Sequence, residues 1–552
     1  MEPTKNENAR RISVGLFFAI LLAIGLGGYR DYNVSWDEPL QRDIGAATVK
    51  HVSGILGIDL LDGRFASLPP LEEFVDKDYG VAFEAPAVAL EVLFKIRGAR
   101  EAIFFRHILT FLVCLSGVYA VYRLASRRFA DWRIGLLAAL FLVLTPRLFA
   151  ESFYNSKDAV FMAVFAIAMY TGISFLLRPG LSTAFLHALA TALALDVRIM
   201  AVILPAATMS MLALRLINRE LPGRKTVMAA SVYLLSSGIF LVTIWPNLWS
   251  DPFGNFAQAF GNMSKFRWKN DVLYMGSFIP ASEVPWHYIP TWISITTPVL
   301  YLLLFLIGSA AVLKGMLSNL AARRFRLWTS EAELQDVMFL GLFAAPVAAV
   351  IALNSTLYDG WRQLYFIYPA FLLLAVRGWV SLWGFRSPGN MNKALLLVIT
   401  AATIFFTAAW MWKAHPLQNV YFNFFAGKDI KDRYEMDYWG LGNRKALEYI
   451  LENDKSPVVN VRADSATPLK LSIYMLEPDK RVRIRETDEM TAPYYVLNNY
   501  RLFKEPLESK YGKEYDLFYE LKVGGEAVLS VFKWKGTEGS GSPPLNPAKK
   551  TR

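Results

Sequence analysis

The chain has 552 residues, 54% hydrophobic and 14% aromatic, with a formal net charge of +11 and a mean hydropathy of +0.30. A chain this apolar is expected to cross a bilayer repeatedly rather than form several soluble domains, and its surplus of Lys and Arg suits cytoplasmic loops, so no nucleic-acid partner is implied. The single cysteine excludes an internal disulfide, and five scattered histidines give no zinc-ligand spacing.

The first apolar run, 12–28, follows Lys5, Arg10 and Arg11 and lacks a small-residue cleavage site before the acidic loop. It is expected to be an uncleaved span with its amino end in the cytoplasm. Further spans are expected at 103–122, 134–150, 159–177, 182–195, 198–217, 227–246, 291–313, 336–353, 362–383 and 394–412. That makes about eleven, each near the roughly 20 residues a bilayer needs. Under this count the basic loops 123–133, 178, 215–225, 314–326 and 377–393 share the amino-terminal side, as the positive-inside rule requires. Merging 182–195 with 198–217 would invert everything downstream, so the two are read as separate. The expected domains are 1–413, a membrane catalytic domain with a long first outer loop at 30–101; 414–536, a small soluble α/β domain on the outer, periplasmic face; and 537–552, a disordered Gly/Ser/Pro-rich tail. In the second, strands are expected at "PVVNVRA", "KRVRIRE" and "PYYVLNN", a hairpin about Gly524-Gly525, and helices at 441–453 and 468–476.

The mixed aromatic, acidic and basic clusters all open to the outer side under this count. They are "WDEP" (36–39), "RLFAESFYNSKD" (147–158), Asp196-Val197-Arg198, "WPNLWSDP" (245–252), "YDGWRQLYFIYP" (358–369), and "HPLQNVYFN" with "DYWG" (437–440). Their sidedness points to a site on the outer face. An Asp at a membrane mouth suits general-base work, which makes Asp37 a candidate and Glu38 its companion; a pair of solvated loop acids is the alternative. Lys157 suits a phosphate and Asp158 a sugar hydroxyl or the alignment of Asp37's partner, unless the two only cap a helix. Span 182–195 rises about 21 Å, short of a hydrocarbon layer about 30 Å thick. Asp196 and Arg198 therefore lie at depth, where ionisable groups face cavities. Arg198 is a candidate phosphate ligand, with a buried Asp196–Arg198 pair bracing a broken helix as the alternative. Arg362 enters an apolar span among aromatics, and its fork matches a phosphate; snorkelling to the interface is its alternative. Trp36, Tyr154, Asn155, Trp249, Tyr358 and Trp361 are candidate sugar- or acceptor-binding residues. In the first loop, "VAFEAPAVALEVLF" (81–94) has the spacing of an amphipathic segment, suited either to lie on the membrane or to pack on the bundle.

In their order and common side, "SWDEP", "RLFAESFYNSKD", "LALDVRIM", "WPNLWSDP", "LYDGWRQLYFIYP", "HPLQNVYFN" and "MDYWG" resemble the GT-C membrane glycosyltransferases. The resemblance is to the bacterial branch similar to protein O-mannosyltransferases and the lipid A aminoarabinose transferases. It implies a polytopic α-helical fold and an inverting transfer from a polyprenyl-phosphate sugar donor on the periplasmic side of the inner membrane. The acceptor would be a hydroxyl of lipid A or core sugar, O-antigen, another cell-envelope glycan or a protein. It also implies Asp37 as the catalytic acid with Glu38 beside it, and Lys157, Arg198 and Arg362 on the donor phosphate. One departure stands out: aminoarabinose-type transferases carry a Lys-Pro-Pro-like segment in the first loop, where this chain has "YGVAFEAP" at 79–86. No cofactor is expected to be required, although Asp37, Glu38 and Asp158 offer oxygen ligands of the kind Mg²⁺ or Mn²⁺ takes. A transporter or lipid flippase would also use about eleven spans and buried charge, but should bury that charge at the midplane and show repeated halves.

Overall fold

A computed structural model describes residues 5–58, 61, 63–264, 268–323, 326–385, 390–487, 493–505 and 507–536. The expected disordered tail at 537–552 lies outside the described residues. All eleven expected spans are helical. In chain order the helices are α1 (Lys5–Gly28), α2 (Asp37–Leu56), α3 (Glu84–Leu93), α4 (Ala99–Phe129), α5 (Trp132–Val143), α6 (Pro146–Tyr154), α7 (Asp158–Leu177), α8 (Leu181–Val197), α9 (Ile203–Ile217) and α10 (Gly223–Ile244). They continue as α11 (Pro252–Ser264), α12 (Tyr288–Thr296), α13 (Val299–Arg323), α14 (Glu331–Ala352), α15 (Tyr368–Gly384), α16 (Met391–Ala414) and α17 (Gly442–Asn453). Among the described residues, nine helices are long and apolar enough to cross a membrane. The protein is a multi-pass membrane protein.

The expected span 291–313 is divided between α12 and α13, with Thr297 extended at the break, and two others also differ from a plain crossing. The segment 134–150 is broken into α5 and α6, which meet at 72°. Pro146 is the cause: it opens α6 and drives Thr145 out of the helical region, to φ −100° and ψ 100°. The other, α8, has 17 residues, too few to cross by length alone, and ends where Arg198 turns extended at φ −151° before a 3₁₀ turn leads into α9. That break keeps 182–195 and 198–217 apart, as the charge parity requires.

Packing at the centre depends on small residues. Gly308 of α13 and Gly378 of α15 face each other so closely that a Cβ on either would overlap the carbonyl oxygen of Leu374 or Leu304. Close backbone approach of this kind is how helices gain contact where lipid supplies no hydrophobic drive.

The long first loop is ordered by α2 and α3, which pack together. Its expected amphipathic segment is α3, and the face it buries includes two acids, Glu84 and Glu91, while Leu93 and Phe94 stay exposed. Glu84 pairs with Arg106 of α4, and Glu91 takes a forked contact from Arg42 of α2 at 2.9 and 2.5 Å. Ionic anchoring thus binds α3 to the bundle. A short hairpin, β1 (Asp271–Tyr274) with β2 (Ser277–Pro280), turns at Met275-Gly276, both with positive φ.

Beyond α16 the chain forms a five-stranded mixed sheet from β3 (Val459–Ala463), β4 (Ile484–Glu486), β5 (Tyr495–Asn498), β6 (Tyr515–Val523) and β7 (Glu526–Trp534), in the order β4-β3-β5-β7-β6. Each strand falls within its expected segment. The hairpin turns at Gly524-Gly525, whose φ values of 63° and 94° are those a two-residue turn of this twist requires.

Candidate active site

Four polar residues predicted from separate stretches meet at one end of the bundle because each stands where a helix starts or breaks. Asp37 opens α2, Asp158 opens α7, Arg198 fills the break after α8, and Arg362 opens the 3₁₀ turn leading into α15. Arg362 Nη1 lies 3.1 Å from Asp37 Oδ2 and 2.9 Å from Asp158 Oδ2. The other oxygen of Asp158 takes Arg198. Asp158 and Arg362 are buried, whereas the Asp37 side chain is 28% exposed, so Asp37 is the carboxylate of this group that a substrate can reach.

Lys157 is buried with its Nζ 3.3 Å from the centroid of the Tyr79 ring, and it makes no ion pair among the described residues. Burial, followed by the charge of Arg198, pushes its pKa down to about 7. Asn155 organises this corner: its Oδ1 accepts the backbone N–H of Asp158 at 2.7 Å, and its Nδ2 donates to Glu151 at 2.7 Å and Asp158 at 3.3 Å.

Two further charged groups join that sequence reasoning missed. Asp359 accepts from Arg362 Nη2 at 3.4 Å and from Arg501 Nη2 at 2.9 Å, and burial pushes its pKa up. It stands at φ 53°, followed by Gly360 at 73°, so the Asp-Gly pair inside "YDGWRQ" was the available signal. Arg501 comes from the C-terminal sheet region, beyond β5, between Tyr500 and Leu502, both with positive φ. Its guanidinium donates to the Tyr438 carbonyl at 2.9 Å and sits 4.2 Å from the Trp36 ring centroid. Nothing in the local sequence marks it. Nearby Glu435 is pushed up to about 8, by burial first.

The aromatic candidates divide. Tyr358 stacks on Trp268 at 4.6 Å and carries Arg362 over its face; Trp36 meets Trp268 edge-on. Both belong to the cluster. Tyr154 instead packs in the core beside Tyr32 and Trp439, and Trp361 is buried with its indole N–H on Thr296 Oγ1 at 2.9 Å. Trp249 lies apart, 40% exposed, its N–H spent on the Val242 carbonyl. Glu38 is also turned away: it accepts the Ser35 N–H at 2.7 Å and lies 3.1 Å from His107 of α4. These contacts correct the expectation that Glu38, Tyr154, Trp249 and Trp361 face the reacting groups. Asp196 does not pair with Arg198 either. It accepts the Val81 N–H at 2.6 Å, which holds the first loop against the end of α8. Gly80 is packed so tightly there that a Cβ would overlap the Asp196 carbonyl.

Below the cluster lies a cavity of about 320 Å³, with Tyr79, Arg198 and Tyr358 at its polar end and Ala206, Pro346 and Val350 among its apolar walls. Among the described residues, three buried nitrogens have no hydrogen-bond partner: Arg198 Nε, whose residue lines the cavity, and Arg362 Nε and Arg501 Nε in the cluster. Asp37, Asp158 and Asp359 set against Lys157, Arg198, Arg362 and Arg501 leave one positive charge in excess when all are ionised. Among the described residues, no three His, Cys, Asp or Glu side chains converge as a metal site would need.

No protein-family model and no curated protein matches the chain. Along its length it is similar to ArnT from Cupriavidus metallidurans, solved bound to undecaprenyl phosphate, at 11% identity and a TM-score of 0.45 over 94% of this chain and 97% of that one. Against the apo state of ArnT the TM-score is 0.47, at 11% identity over 95% and 98%. An Archaeoglobus fulgidus oligosaccharyltransferase, in complex with Zn and sulfate, aligns over 79% of this chain and 60% of that one at 12% identity and a TM-score of 0.37.

Proposed function

We propose that the chain is an inverting glycosyltransferase that moves a sugar from a polyprenyl-phosphate donor to a hydroxyl acceptor. One observation carries this reading: a reachable carboxylate stands beside a buried cationic group with unspent donors, at the polar end of an apolar cavity. A phosphodiester-linked lipid needs those three features together. Its chain takes the apolar cavity, and its single negative charge matches the one positive charge in excess.

In this mechanism Asp37 is the general base. Arg362 holds its Oδ2 and leaves Oδ1 to accept the proton of the acceptor hydroxyl. The acceptor oxygen attacks the anomeric carbon from the face opposite the phosphate; the bond from that carbon to the phosphate oxygen breaks, and its electron pair leaves with polyprenyl phosphate. Lys157, Arg198 and Arg362 stabilise the charge that grows on the departing oxygen, the work a metal ion would otherwise do. Trp36 and Tyr358 give the sugar apolar faces. Glu38 acts at one remove, locking through Ser35 and His107 the turn that presents Asp37. We place the site on the periplasmic side of a bacterial inner membrane, from the basic loops at the opposite ends of the spans. The acceptor in this reading is a hydroxyl of a cell-envelope glycan, lipid or protein. The gathering of charge at one mouth supports transfer at a surface rather than passage through the bundle.

Donor binding is tested by native mass spectrometry of the purified protein with polyprenyl-phosphate sugars. The wild type is expected to retain one donor, and Lys157→Gln to bind it about tenfold more weakly, the cost of one charge-assisted hydrogen bond. Equal binding by both proteins would remove Lys157 from the phosphate site.

A further inference from the structure

At the far end of the same helices lies a second cavity, of about 280 Å³, lined by Arg10 of α1, Arg123, Ser126 and Arg127 of α4, and Tyr170 of α7, with Asp131-Trp132 at the start of α5. Its distance from the proposed reaction follows from helix rise. Arg123 is sixteen residues along α4 from His107, about 24 Å, and Tyr170 is twelve along α7 from Asp158, about 18 Å.

The charge here is unbalanced. Arg123 and Arg127 are one turn apart on one face of α4, and their partners are neutral hydroxyls. Arg123 donates to Tyr119 at 3.0 Å and Tyr170 at 2.9 Å, and Arg127 to Ser174 at 2.5 Å. The adjacent Arg128 shows the contrast, held by both oxygens of Asp336 at 2.6 and 2.5 Å. Arg10, Arg123 and Arg127 have no carboxylate partner among the described residues. The one acid in the wall, Asp131, accepts the Arg133 backbone N–H at 2.8 Å. Three arginines against one aspartate leave two positive charges in excess.

We propose that this cavity binds the headgroup phosphate of an anionic phospholipid. Guanidinium forks are donors suited to phosphate oxygens, and basic pockets between spanning helices at a membrane face are suited to lipid headgroups. The membrane is favoured over a soluble phosphate as the source because one wall is α1, of whose spanning window only 11% is buried. The cavity is therefore bordered by a helix that faces lipid. This site is separate from the proposed donor site and does not depend on the transfer reading.

The test is native mass spectrometry of the full-length protein titrated with phosphatidylglycerol, phosphatidylcholine or inorganic phosphate. Phosphatidylglycerol is expected to bind in preference to both. The double variant Arg123→Gln, Arg127→Gln is expected to lose roughly thirtyfold in affinity for it, whereas Arg224→Gln, exposed at the start of α10, should match the wild type. The charge-preserving pair Arg123→Lys, Arg127→Lys guards against a loss through misfolding and is expected to keep most of the binding. Equal binding of phosphatidylcholine, unchanged binding by the Gln pair, or equal loss in the Lys and Gln pairs would overturn the proposal. Inorganic phosphate binding as tightly as the lipid would overturn the choice of a membrane source.

Discussion

Lys157 and Arg501 are cations of the same site with opposite vulnerabilities. Lys157 has no ion-pair partner among the described residues and an ammonium that burial brings to about 7. It is charged below that pH and neutral above it, while a phosphodiester stays anionic throughout. Donor affinity is therefore expected to fall by about tenfold as pH rises from about 6 to 8.5, and Lys157→Arg, always charged, should flatten the profile. Equilibrium binding across that range checks both. Arg501, by contrast, has both terminal nitrogens committed, Nη1 to the Tyr438 carbonyl and Nη2 to Asp359. Its loss strands a buried carboxylate, so Arg501→Ala should destabilise by about 3–5 kcal/mol, and adding Asp359→Asn should recover much of that in thermal unfolding. Asp37, Asp158, Arg198 and Arg362 could be read from sequence because each interrupts an apolar run at the same end of the bundle. Arg501 could not, since a charged residue in a turn between strands of a polar segment breaks no hydropathy pattern. Trp249 and Trp361 show the converse error: an aromatic beside a span end is as able to fill the core or the interface as to hold a sugar.

The spanning helices were readable from their length and composition, but two kinds of element were not. The bend at Pro146 was hidden because α5 and α6 are both apolar enough to pass as one crossing. Helix α2 was obscured by its polar contacts, since hydropathy periodicity does not register a helix held by Arg42 on Glu91, whereas α3 was legible as the amphipathic segment 81–94. These elements carry the site, because α2 presents Asp37 and the segment before α3 rests on Asp196 through Gly80 and Val81. Gly80→Ala is accordingly expected to push the first loop off α8 and reduce kcat more than thermal stability. Gly378→Ala acts elsewhere: it forces α13 and α15 apart, and should cost about 1–3 kcal/mol of stability by the usual penalty of overpacking. Comparing turnover with thermal unfolding for the two variants separates a loop that positions the base from a crossing that holds the bundle.

At the scale of the whole molecule, the membrane bundle and the C-terminal sheet region share the proposed site. The bundle supplies Asp37, Lys157, Asp158, Arg198 and Arg362, and the α/β domain closes it with Arg501 against Trp36 and Asp359. The division into a membrane part and a small mixed sheet was evident from the change in hydropathy near residue 414. Their joint construction of the site was not, because contacts between distant segments leave no local pattern. The central claim is that this shared site transfers a sugar and that Asp37 is the base. Its most direct test incubates wild type and Asp37→Asn with a panel of polyprenyl-phosphate sugars and membrane acceptor extract, and measures the polyprenyl phosphate released by mass spectrometry. Release by the wild type is expected, with release at least a hundredfold slower by Asp37→Asn and donor binding retained. Equal release by the two proteins, or none by a folded wild type across the panel, would contradict the claim.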